Sequence, residues 1–122
     1  TDCKAFVAVS SENNPIGLIT GGPYDEVGGL FAMWVDPSER KKGIGGSLVD
    51  AVIQWAKERD FKEILLDVAD ENLSAIYLYQ SKGFSRTGVT GTLPPPREHI
   101  LEHQRCLTLN QQSEPVASGQ RR

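Results

Sequence analysis

Between Leu30 and Lys82 the chain passes through an apolar strand, a cationic glycine-rich turn, an amphipathic helix, a second apolar strand and a second helix, an order that commits it to an α/β fold. Leu30-Phe31-Ala32-Met33-Trp34-Val35 is nearly continuous in apolar residues and predicts a strand buried on both faces, closed by Asp36-Pro37. From Ser47 to Arg59, Leu48, Val52 and Trp55 recur at helical spacing. Val49, Ile53 and Ala56 widen that stripe while Asp50, Lys57 and Glu58 face outward. Ile64 to Val68 reads as a short strand. Asp70 to Asn72 supply N-cap residues, and Leu73 to Lys82 reads as a helix stopped by Gly83.

Strand signals flank this β-α-β-α unit. Lys4 to Val9 is one strand, Ser10 to Pro15 a polar turn, and Ile16 to Thr20 its antiparallel partner, ended by Gly21-Gly22-Pro23. Phe84 to Val89 and Ile100 to Leu109 are expected to pair as closing strands around the loop containing Pro94-Pro95-Pro96. Asn110 to Arg122 has no apolar periodicity and reads as a loose tail, so one domain is expected over residues 1–109 and a tail over 110–122. With 39% hydrophobic and 24% charged residues the chain carries enough apolar surface for a core, which excludes a disordered or fibrous polymer.

Charge narrows the partners. The 13 Lys+Arg against 16 Asp+Glu leave a net charge of -3, which argues against a nucleic-acid binder with a broad basic face and makes any phosphate contact local. No apolar run approaches the roughly 20 residues of a membrane span, and no signal pattern opens the sequence, so a soluble protein without membrane partners is expected. Cys3 and Cys106 are far apart and form no C-x-x-C pair, which speaks against a disulfide framework or zinc cluster and makes a reducing cytoplasm the expected location. His99 and His103 are four apart, but the strand-like alternation after Ile100 splays them, and no metal is expected.

The chemistry concentrates in Arg40-Lys41-Lys42-Gly43-Ile44-Gly45-Gly46-Ser47. Three adjacent cations followed by glycines at a helix start place positive charge and unblocked backbone N–H groups together, the make-up of a pyrophosphate cradle. A solvated turn is the plainer alternative. The G-x-x-x-x-G-K-[ST] loop is absent, and G-x-G-x-x-G fails because Leu48 stands at its third glycine. The letters fit R-x-x-G-x-G, as Arg40, Gly43 and Gly45, directly after Met33-Trp34-Val35-Asp36-Pro37.

With these residues the sequence resembles the GNAT superfamily of acyl-CoA-dependent N-acetyltransferases. A second block, Asn72-Leu73-Ser74-Ala75-Ile76-Tyr77-Leu78-Tyr79-Gln80-Ser81-Lys82-Gly83-Phe84, is similar to the family's N-x-x-A-x-x-L-Y-x-x-x-G-F pattern. The resemblance spans residues 4 to 109 and implies a mixed, mostly antiparallel sheet flanked by helices, with acetyl-CoA as cosubstrate. It further implies that the strand ending in Met33, Trp34 and Val35 splays from its neighbour and pairs with the acyl group and pantetheine arm. Residues Arg40, Lys41, Lys42, Gly43, Ile44, Gly45 and Gly46 would hold pyrophosphate, Asn72 the pantetheine arm, and Tyr79 would protonate the departing thiolate. Spacings of three, four and three place Asn72, Ala75, Tyr79 and Lys82 on one helix face, and the small Ala75 leaves room for a ligand.

Several alternatives stay open. Tyr79 alone reads as a core aromatic with its hydroxyl hydrogen-bonded; the surrounding motif favours the acid. Asn72 is also a cap, and Trp34 and Trp55 read as core. Family members carry a strand and helices ahead of the first strand seen here, so a partial chain is expected. Leu30 to Val35 holds no acid where many members place a glutamate base. Asp25, Glu26, Asp67, His99 and His103 are unranked candidates. The implied activity is direct acetyl transfer to a primary amine, on a small molecule or peptide, with a non-catalytic acyl-CoA-binding module as the alternative and a homodimer through the closing strands as an expectation.

Overall fold

A computed structural model describes residues 3–109; the proposed tail, 110–122, lies outside the described residues. The elements follow as β1 (Lys4–Val9), β2 (Pro15–Tyr24), β3 (Val27–Val35), α1 (Ile44–Glu58), β4 (Glu63–Ala69), α2 (Leu73–Ser81), β5 (Ser85–Thr92) and β6 (Leu101–Thr108), with one 3-10 turn at Pro37–Glu39. They build one six-stranded sheet in the order β1-β2-β3-β4-β6-β5. Every neighbouring pair is antiparallel except β3 and β4, which α1 connects as a crossover helix. This is the mixed, mostly antiparallel sheet with flanking helices that the sequence implied.

The apolar stripe of α1 packs where its spacing placed it. Leu48, Val49, Val52 and Trp55 bury against Ile19, Leu30 and Ile64 of the sheet, while Ala75, Tyr79 and Phe84 extend the core beside Leu66 and Val68. Each such large side chain contributes about 1.5–3 kcal/mol by leaving water.

Two expectations about strands need correction. Gly21-Gly22-Pro23 does not end β2, which continues to Tyr24 and pairs with β3 through Gly28, Gly29 and Leu30. Gly21 is there because the Trp55 ring lies against it; a Cβ would stand 2.9 Å from Trp55 Cε3. Pro23 is tolerated because it lies past Gly21, the last β2 residue paired with β1, so no ladder on that side needs its N–H. The Leu30–Val35 run is not buried on both faces either. Phe31 and Trp34 are 38% and 45% exposed, because α1 and α2 cover one face of the sheet and β3 soon loses its neighbour on the other side.

That loss begins after two rungs. β3 and β4 pair only at Gly28 with Ile64 and Gly29 with Leu65. On the opposite edge of β3, Leu18 pairs with Trp34 but Thr20 with Phe31, so Ala32 and Met33 together face Ile19 in a bulge. Ala32 adopts φ 54°, left-handed backbone that a non-glycine residue holds at a cost of order 1–3 kcal/mol.

Gly29 is required for a different reason. A Cβ there would sit 2.7 Å from Phe31 Cζ and 2.8 Å from Tyr24 Cβ, contacts that cannot be relieved by turning one flexible tip. Gly29→Ala is therefore expected to lower unfolding free energy by about 1–3 kcal/mol, read from the urea midpoint. An unchanged midpoint would contradict this packing.

Candidate functional site

The divergence of β3 from β4 opens two cavities that share Met33, Asn72 and Ala75. One, of about 510 Å³, lies along the end of β3 and the start of α1. Met33, Trp34, Val35, Arg40, Lys41, Gly43, Ile44, Gly45, Gly46, Asn72 and Ala75 all line it, so eleven of the residues singled out from the sequence converge on one concave surface. The other, of about 880 Å³, occupies the gap between the strands and is lined by Phe31, Leu66, Val68 and Tyr79 among others.

The helix start supplies the electrostatics of the first cavity. Gly43 is the N-cap of α1 at φ 83°, with no side-chain cap, and Ser47 N to Gly43 O at 3.0 Å is the first bond of the helix. The N–H groups of Ile44, Gly45 and Gly46 precede it and point along the helix axis as donors for an anion. Arg40 Nε donates to the Val35 carbonyl at 3.3 Å, which holds its guanidinium beside the mouth. This donor set fits the phosphates of a coenzyme. Gly45 also has a packing role, since its Cβ would meet Leu78 Cδ2 at 3.1 Å where α1 and α2 approach.

Two of the expected cations point elsewhere. Lys42 Nζ is paired with Glu39 at 3.1 Å and does not line the cavity. Lys82 shares the predicted face of α2 but bonds Asp50 at 2.9 Å, with its Nζ beside Gly46 rather than in either cavity. Trp55 is core, as expected; Trp34 is not, being exposed and among the residues that line the smaller cavity.

On α2, Asn72 caps the helix by accepting from Ala75 N at 3.4 Å. Tyr79 is buried, and its nearest partner is the Met33 thioether at 4.0 Å. A core tyrosine normally has its hydroxyl engaged by a good acceptor, whereas sulfur at this distance is a weak one. Desolvation pushes the Tyr79 pKa up to about 12, so the phenol stays protonated and its O–H is nearly unspent.

The wall of the larger cavity holds residues that the sequence did not rank or did not suggest. Glu71, Leu93, Arg97 and Glu102 join Asp67 there. Arg97 Nη2 meets Glu71 Oε1 at 2.8 Å, and Asp67 Oδ2 accepts from Tyr24 Oη at 2.9 Å. His103 is committed to Asp70 and Thr90 at 2.9 and 3.2 Å, and neither histidine lines either cavity. Among the described residues no three His, Cys, Asp or Glu side chains group to hold a metal, and no helix is long and apolar enough to cross a membrane. Cys106 is held protonated by desolvation and by Glu63, and neither cysteine reaches either cavity.

Comparison with known proteins agrees with this fold. Human N-acetyltransferase 8 is 36% identical over 91 residues, covering 70% of this chain and 40% of its own length. A Bacillus subtilis N-acetyltransferase, YobR, whose function is uncharacterised, is 34% identical over 83 residues, covering 68% of this chain and 34% of its own. This chain thus spans well under half of these relatives. Nourseothricin acetyltransferase superposes with a TM-score of 0.80 at 22% identity, covering 88% of this chain and 65% of that one. A Bacillus anthracis protein assigned as a streptothricin acetyltransferase, solved with acetyl coenzyme A, superposes at 0.78 with 23% identity, covering 89% and 64%. These likenesses show the fold. The acetyltransferase (GNAT) family, whose members use acetyl-CoA as cosubstrate, matches residues 1–84. A splayed parallel pair, an uncapped glycine-rich helix start and that match together place this chain in the GNAT acetyltransferase family.

Proposed function

We propose that this domain transfers an acetyl group from acetyl-CoA to a primary amine, directly, with both substrates bound together. The observation that carries the reading is the junction of the two cavities at Met33, Asn72 and Ala75, beside the Tyr79 hydroxyl. The smaller cavity takes the coenzyme, with Arg40, Lys41 and the N–H groups of Ile44, Gly45 and Gly46 on pyrophosphate. Asn72 and the backbone of Met33 to Val35, freed from β4, serve the pantetheine arm and thioester. The larger cavity takes the amine, which must be neutral to attack although an ordinary lysine amine titrates near ~10.4. Neither cysteine is placed to form an acyl intermediate, which favours the direct route.

Tyr79 serves the leaving sulfur. A phenol of pKa about 12 is a permanent donor. An ordinary thiol titrates near ~8.5, so complete proton transfer from Tyr79 runs uphill and a hydrogen bond to the developing thiolate carries its effect.

An amine panel tests the reading: spermidine, a peptide with a free N-terminus, a lysine-containing peptide and an aminoglycoside, each assayed with acetyl-CoA for thiol release. Amine-dependent release is expected. Acetyl-CoA binding with no turnover on any amine makes the domain a binding module instead.

A further inference from the structure

Among the described residues, Arg105 is the one buried charged side chain. It is 5% exposed and stands midway along β6, between Leu66 of β4 and Arg86 of β5 in the register of the sheet. Ile64, Leu66 and Val68 lie on the helix-covered face of β4, and their cross-strand partners Leu107, Arg105 and His103 share that face. The Arg105 Nε is sealed from solvent with no hydrogen-bond acceptor, and among the described residues no carboxylate pairs with its guanidinium. A guanidinium cannot shed its proton to escape burial, as a lysine or a carboxyl group does, so the charge is costly until it is paired. The surrounding elements do not supply the partner. α2 carries no acidic residue, and the β4 residues on that face are apolar. Directly across the strand pair stands a second guanidinium, Arg86, a like-charge pairing that is itself unfavourable. The acid of this corner, Asp70, is already engaged, with its Oδ1 2.9 Å from His103 Nε2 and 3.7 Å from Arg86 Nη2.

We propose that the corner formed by Arg86, His103 and Arg105 binds a carboxylate from outside the domain. Two guanidinium groups against the single charge of Asp70 leave one positive charge unmatched. One carboxylate neutralises it, whereas a phosphate dianion overshoots and meets the repulsion of Asp70. The planar fork of Arg105 suits two carboxylate oxygens in parallel hydrogen bonds, and one of these gives Nε the acceptor it lacks. Approach is open from the sheet edge, since every residue of β5 is exposed and the Arg86 side chain is 56% exposed. None of Arg86, His103 and Arg105 lines either cavity, so the site is separate from both and does not depend on the acetyl-transfer reading. The carboxylate comes from a free acid or from an acidic side chain of a peptide, and the chemistry that recognises it is the same.

The Arg105 Nε–H is itself the probe. In the full chain, isotopically labelled and followed by proton–nitrogen correlation at neutral pH, a sealed Nε–H exchanges slowly and gives a resolved resonance, which Arg105→Lys removes and so identifies. Sodium acetate is expected to shift that resonance saturably, while sodium chloride at equal ionic strength leaves it in place. A short capped peptide with one glutamate separates the sources: a midpoint well below that of acetate assigns the site to a peptide side chain, and an equal midpoint to a free acid. Arg105→Met removes the unmatched charge and keeps an apolar stem. Without added carboxylate its melting temperature should equal or exceed that of the unaltered chain, and acetate should raise the melting temperature of the unaltered chain alone. A resonance that acetate does not move overturns the proposal, and a stronger response to inorganic phosphate overturns the choice of carboxylate. An Arg105→Met variant that folds but melts clearly lower in the absence of carboxylate also overturns it, because the guanidinium would then be satisfied within the domain. The readout is one atom of Arg105, so an anion held at the start of α1 cannot be mistaken for this site.

Discussion

Tyr79→Phe is expected to leave the melting temperature at neutral pH and the acetyl-CoA affinity nearly unchanged while turnover falls ~10²-fold, the scale of losing one donor to a developing anion. The stability half of this expectation comes from the site itself. The hydroxyl's partner is a thioether at 4.0 Å, so its removal forfeits little, and the ring keeps its tilted contact with Phe84 at 5.8 Å. A second signature appears in alkali. The folded phenol titrates near 12 and the unfolded one near ~10, so between those values the unfolded chain has lost a proton that the folded chain retains. Stability therefore falls as pH rises above about 10, by roughly 2–3 kcal/mol in all, and Tyr79→Phe lacks that limb. Normal turnover combined with a lowered melting temperature would return Tyr79 to the role of core aromatic.

Gly46→Asp is expected to separate binding from folding at the helix start. A Cβ at Gly46 meets Lys82 Cε and Nζ at 3.5 Å and Leu78 Cδ1 at 3.9 Å, all ordinary contacts, whereas at Gly45 it would stand 3.1 Å from Leu78 Cδ2, so position 46 reports charge with little crowding. A carboxylate in the first turn of α1 suits the helix dipole and replaces a glycine, so the melting temperature should hold or rise. The same carboxylate stands among the N–H groups assigned to pyrophosphate. At about 5 Å and an effective dielectric of ~20, each phosphate charge it faces costs roughly 3 kcal/mol before screening; Lys82 Nζ, 3.5 Å from that Cβ, offsets part of this, so acetyl-CoA affinity should drop ~10-fold. Calorimetric titration of the folded variant checks this. Unchanged affinity would move the phosphates away from α1.

What was legible in the sequence was local. The α1 stripe, the Asn72 cap and the glycine turn each lie within about fifteen residues, where helical period and cap chemistry speak directly, and they located most of the residues that line the smaller cavity. Strand ends were less legible: Gly21-Gly22-Pro23 has turn composition, yet the Trp55 ring needs a glycine there and Pro23 lies past the β1 pairing. The larger cavity was hardest to read, because its wall is assembled by pairing across the sheet. Asp67 could be named but not ranked, and nothing near Tyr24 in sequence indicates that it ends on an aspartate of β4. Lys42 and Lys82 fit the pattern by charge and spacing, but Glu39 and Asp50 hold them away.

The short union of β3 and β4 makes the sheet two three-stranded rafts hinged at Gly28 and Gly29, with α1 lying across both and the Tyr24 to Asp67 bond as a strap over the gap. Such a sheet is finished by whatever lies in the cleft. A molecule that satisfies the free backbone of β3 adds cohesion between the rafts, so its affinity and the integrity of the fold are two measures of one quantity.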